Sequence, residues 1–98
     1  MNIDDWRKRI DEIDRQLIEL LNERTRCAMA IGRLKRQLGE NVHQPERERE
    51  ILKNALRANS GPLSDDAVRR LFERIVDEAR TIEQEAYRKA ESAGSKEN

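Results

Sequence analysis

Residues 3–38 read IDDWRKRIDEIDRQLIELLNERTRCAMAIGRLKRQL, and this stretch decides the fold. Ile3, Trp6, Ile10, Ile13, Leu17, Leu20, Arg24, Cys27, Ile31, Leu34 and Leu38 follow one another at alternating steps of three and four, without a slip. That spacing is the seam of a helix packed against other helices. Arg24 is the one charged member of the seam. An unpaired guanidinium there would be strongly destabilising, so the pattern predicts an anionic partner for it.

The seam also sets a length. Asn2 suits an N-cap, Asp4 and Asp5 place negative charge in the first turn, and Gly39 follows the last seam residue as a stop. A helix from Ile3 to Leu38 spans roughly 54 Å at 1.5 Å per residue, well beyond the roughly 30 Å of a small domain. A chain of 98 residues with 41% charged and 3% aromatic side chains has little bulky material to cover it. Other copies are expected to supply the rest.

Downstream, Glu40–Gln44 reads as a short polar connection. Pro45 opens a second helix to about Ala58, with Ile51, Leu52, Ala55 and Leu56 facing inward. Asn59-Ser60-Gly61-Pro62 makes the next loop. Ser64 then caps a third helix whose first turn carries Asp65 and Asp66 and whose apolar face is Val68, Leu71, Phe72, Ile75, Val76, Ala79, Ile82 and Ala86. Residues 1–91 are expected to form one helical domain, and the small, polar stretch 92–98 a frayed tail. The fold class is all-α.

Composition removes several function classes. Net charge is zero, with acids and bases interspersed, so neither nucleic acid nor an anionic membrane is suggested as a partner. No apolar run is long enough to span a bilayer and no leader pattern stands at the N-terminus, so a soluble, cytoplasmic chain is expected. The single cysteine, Cys27, suits a small buried hydrophobe on the seam. There is no His or Cys cluster to suggest a metal.

Several polar residues fall where solvent would not be expected. At 100° per residue, Arg24 and Lys35 lie within about 20° of each other, three turns apart, so two cations face one place. Arg7 is some 25 Å from Arg24 along the axis, too far to join it within one chain, but a symmetry-related copy could bring it there. Arg47 and Glu48 occupy the first turn of the second helix, and Glu83 lies at the edge of the third helix's apolar stripe. The plainer readings stand beside these. A charged seam residue also serves to fix register, and long basic side chains often lie along a seam with their heads in water. Trp6 reads as an end plug for the core, and His43 as an incidental loop residue.

Taken together, Arg7-Lys8-Arg9-Ile10-Asp11-Glu12-Ile13-Asp14, Leu20-Leu21-Asn22-Glu23-Arg24, Ile31-Gly32-Arg33-Leu34-Lys35 and Pro45-Glu46-Arg47-Glu48-Arg49 resemble the all-helical (type II) chorismate mutases over about residues 5 to 87. The resemblance implies three helices per chain, a long first and two shorter, interlocked as a homodimer with two sites. It implies an isomerase of the shikimate pathway, without cofactor, that rearranges chorismate to prephenate for phenylalanine and tyrosine biosynthesis. By the same resemblance Arg24, and Arg7 from the other chain, hold the two substrate carboxylates. Lys35 donates to the ether oxygen, Glu48 accepts from the ring hydroxyl, and Arg47 supports that end of the site.

Three positions depart from the family pattern. Gln44 stands where aspartate is frequent before the proline, Ala79 where some relatives carry a serine near a carboxylate, and Glu83 where a glutamine often gives the second donor to the ether oxygen. A carboxylate donates only when protonated. Activity is therefore expected to rise as pH falls. Isochorismate pyruvate-lyase and a non-catalytic regulatory helical dimer are the competing readings.

Overall fold

Asn2 closes the front of the first helix. Its side chain accepts from the Asp5 amide at 2.9 Å, while the Asp5 carboxylate accepts from the Asn2 amide at 3.1 Å, a reciprocal capping box. At the far end Gly39 takes the left-handed conformation (φ 68°) that a side chain would resist. The computed structural model describes residues 1–96, and these caps bound α1 (Ile3–Leu38). α2 (Pro45–Ala58) begins on its proline, and Gln44 before it makes no side-chain cap, as its chemistry predicts. α3 (Asp65–Lys96) starts where the Ser64 hydroxyl accepts from the Ala67 amide at 3.1 Å. The helix runs to Lys96, and Glu97 and Asn98, the end of the stretch expected to fray, lie outside the described residues.

α1 and α2 each pack against α3 and not against each other. Leu21 shares a hollow with Ile75, Gly32 meets Glu83 and Ala86, and the Arg36 guanidinium lies 5.9 Å over the Tyr87 ring. Rising numbers on α1 thus meet rising numbers on α3, and the two run in the same direction. α2 runs back along α3, because its end lies beside the start of α3, where the Asn59 amide donates to Asp65 at 3.0 Å, while Glu48 in its first turn meets Arg80. The inward residues expected for α2, Ile51, Leu52, Ala55 and Leu56, are all half-buried.

The contact between α1 and α3 differs from the expected seam. α1 turns Ala28, Gly32 and Lys35 toward α3, whereas Ile31, Leu34 and Leu38 remain exposed. The reason is steric: alanine and glycine let two helix backbones approach as bulky seam residues cannot. Cys27 is likewise exposed rather than buried, and Leu71 of α3 is 55% exposed. Residues 3–20 of α1 have no burying neighbour among the described residues. Trp6, expected as an end plug, is 57% exposed, and Leu17 51%. The radius of gyration is 17.4 Å, against about 13 Å for a compact domain of this length.

Candidate functional site

A cavity of about 390 Å³ opens in the gap that α3 holds between α1 and α2. α1 contributes Arg24 and Lys35 to its wall, α2 Arg47 and Glu48, α3 Ala79 and Glu83, and the connection between α1 and α2 Gln44. Seven of the eight residues singled out from sequence therefore line one space. The eighth, Arg7, lies on the bare half of α1, pairs loosely with Asp4 at 3.8 Å, and takes no part in this cavity within the single chain. Cys27, Ala28 and Ile31 add an apolar strip from α1, and Ile51 and Val76 face it from α2 and α3.

Lys35 is the most buried charge described, with 8% exposure. Its ammonium donates to the Val42 carbonyl at 2.9 Å and to Glu83 Oε1 at 3.0 Å. An ammonium carries three donors, so one N–H is left for a ligand in the cavity. Glu83 accepts from Lys35 with one oxygen, and its other oxygen is free of a described partner. Arg24 stands differently. Half-buried between this cavity and an adjoining apolar hollow of about 330 Å³, it forms no ion pair among the described residues. The anion predicted for it is not a carboxylate of the described residues. Arg47 is more exposed and pairs with Glu50, one turn along α2.

Glu48 has two neighbours that the sequence reading missed. Arg80 of α3 grips its carboxylate with both arms of the guanidinium, Nε to Oε2 at 2.8 Å and Nη2 to Oε1. His43, read as incidental, brings Nε2 to 3.7 Å from Oε2. Hydrogen bonding to Arg80 is the largest influence on Glu48 and holds its carboxyl below the usual carboxylate range. Burial opposes this, and the charges of Arg80, His43 and Lys35 add to it. The same pairing raises Arg80 above its ordinary value. Because the folded value of Glu48 is lowered, the pair contributes its full stability at neutral pH and loses it as pH falls through that lowered value.

Three cations and two carboxylates around a partly apolar hollow make an all-helical site for a small organic anion that also carries a hydroxyl or similar donor. Residues 6–84 match the chorismate mutase type II family, and the chain belongs to it. It is 43% identical over 83 residues to the bifunctional chorismate mutase/prephenate dehydratase of Pseudomonas aeruginosa, a match covering 80% of this chain and 23% of that protein. To the chorismate mutase of Methanocaldococcus jannaschii it is 44% identical over 45 residues, 46% of each chain. The chain spans about a quarter of the length of the bifunctional relatives. Among solved structures, a chorismate mutase of Thermus thermophilus superposes with a TM-score of 0.81 at 36% identity, covering 84% of this chain and 93% of that one.

Proposed function

We propose that the chain is a chorismate mutase that converts chorismate to prephenate in aromatic amino acid biosynthesis. The observation that carries this reading is the meeting of Arg24, Lys35 and Glu48 on one cavity in which Arg24 has no ion-pair partner among the described residues. The substrate is a dianion, and its rearrangement breaks a C–O bond while forming a C–C bond within one molecule. No proton need move and no cofactor is used. Arg24 takes one carboxylate in a fork that matches the guanidinium, and Arg7 of a second copy takes the other. Lys35 turns its remaining N–H to the ether oxygen, where negative charge gathers as the bond to carbon breaks. Glu48 accepts from the ring hydroxyl, with Arg47 and Gln44 at the same end. Catalysis is then restriction of the substrate to its reactive shape, together with donors already in place. The functional unit lies within residues 1–91.

A second copy also answers the bare half of α1. A homodimer in which these helices cross would cover Ile10, Trp6 and Leu17 and carry Arg7 toward the other chain's cavity. Leu17→Asp is expected to convert a species of twice 11.5 kDa into monomer in sedimentation and to abolish turnover. A fully active monomeric variant would remove the second copy from the site. No helix among the described residues is long and apolar enough to cross a membrane, and the reading places the chain in the cytoplasm.

Glu83 gives the reading a pH signature. Lys35 and Arg24 face it from α1, and Arg47 and Glu48 from α2 across the cavity. While ionised it only accepts; once protonated, its second oxygen donates to the ether oxygen beside Lys35. Turnover is expected to rise as pH falls. Glu83→Gln should flatten that profile and be at least as active near neutrality. Loss of activity in Glu83→Gln with the profile unchanged would refute this role. The first experiment on the whole reading is to supply chorismate to the purified protein, follow loss of the diene absorbance and identify the product. Prephenate supports the mutase. No turnover of chorismate, with pyruvate released from isochorismate, would make it a lyase.

A further inference from the structure

Arg80 has no part in the chemistry above, yet it makes the best-formed side-chain contact at the site. Its fork joins α3 to Glu48 of α2 across 32 residues of chain. Glu48 lines the cavity and Arg80 does not, so the guanidinium stands behind the carboxylate as seen from the cavity. A carboxylate offers about four acceptor sites, two on each oxygen. The fork occupies one on each, leaving one on each for a donor from the cavity. Asp77 Oδ1, 3.5 Å from Arg80 Nη2, steadies the guanidinium from its own helix.

This anchoring matters because of where Glu48 sits. It lies in the first turn of a helix that has no side-chain cap and packs on α3 alone. Unheld, a glutamate there has three rotatable bonds and open solvent to explore. We propose that Arg80 is a positioning residue that fixes the Glu48 carboxylate as an acceptor facing the cavity, where it receives the substrate's ring hydroxyl. The named substrate rests on the mutase reading; the holding of Glu48 by Arg80 does not. The charged groups facing Glu48 are Arg80 from α3, His43 from the connection before α2 and Lys35 from α1, all cationic or able to become so. The fork is the largest of these influences. With it in place, Glu48 stays an ionised acceptor to lower pH than an ordinary glutamate would.

The test is Arg80→Gln, which removes the charge and the fork, with Arg80→Lys as the conservative variant. Glu48 contacts a hydroxyl present in both substrate and transition state, so kcat/KM should fall roughly tenfold or more, chiefly through KM. The acid limb should move to higher pH, and Arg80→Lys should recover only part of the loss, because a point charge cannot fork. In a Glu48→Gln background, Arg80→Gln should change kcat/KM by less than about twofold. Equal losses in both backgrounds, or a wild-type profile for Arg80→Gln, would overturn the proposal. A readout free of turnover is the carbon NMR titration of the Glu48 carboxyl. It should titrate below exposed glutamates in the wild type and rejoin them in Arg80→Gln. An unchanged titration overturns the proposal, whereas failure of the wild type to turn over chorismate overturns the mutase reading and leaves the titration to decide this one.

Discussion

Arg24→Ala is expected to leave a folded protein and to lower kcat/KM for chorismate by more than about 3 kcal/mol, over a hundredfold, on the scale of losing a preorganised donor. Both halves of the expectation come from the same geometry. Arg24 forms no ion pair among the described residues, so its removal strands no carboxylate among them. It borders a cavity on one side and an apolar hollow on the other, so truncation enlarges existing space without unpacking a core. On the proposed function, by contrast, the wild-type site holds a half-buried cation that pairs with a substrate carboxylate. Circular dichroism and sedimentation check the first half, and initial rates the second. Near-normal turnover by the folded variant would remove Arg24 from the site.

The second large effect is expected at Gly32. A Cβ there would collide with the Glu83 carbonyl oxygen and lie 3.0 Å from both Glu83 Cα and Ala86 Cβ. Two effects of Gly32→Ala oppose each other. Alanine in a helix interior is favoured over glycine by up to about 1 kcal/mol. Overpacking costs typically about 1–3 kcal/mol and more where the obstacle cannot turn aside. Here the obstacle is helical backbone, so the collision should prevail and push α3 away from α1 at the residue that pairs with Lys35. A net loss of roughly 2 kcal/mol lowers the melting temperature of a domain this size by about 10 °C. Turnover should fall tenfold or more, because Glu83 and Lys35 are displaced together. A variant that melts with the wild type and keeps its rate would show that the two helices can part at this point without consequence.

The starts of all three helices and the end of α1 were legible in the sequence because local chemistry decides them: Asn2, Gly39, Pro45 and Ser64 act within a few residues of themselves. The convergence of Arg24, Lys35, Arg47, Glu48 and Glu83 was legible too, the first two from the helical repeat and the rest through the family resemblance. The face that α1 turns to α3 was not. A search for large apolar residues at three-four spacing finds the broadest stripe, and α1 carries a second, narrower one in Ala28 and Gly32 whose value lies in being small. Arg80 was missed for a different reason. Its partner is 32 residues away, and nothing near it distinguishes it from the other arginines of α3. The one available sign was its place one turn before Glu83, on the side of α3 that borders the site.

The absence of contact between α1 and α2 has a consequence for motion. The two walls are joined only through α3 and through the short connection that holds Lys35 to the Val42 carbonyl. α2, short, uncapped at its start by any side chain and resting on one neighbour, is expected to open at lower cost than the stretch of α1 from Ala28 to Lys35, which is packed on α3. The Arg80 fork on Glu48 is then the side-chain tie that holds its first turn to α3. The amide protons of that turn should exchange with solvent faster than those of α1 from Ala28 to Lys35, and a bound dianion, spanning both walls, should slow them most.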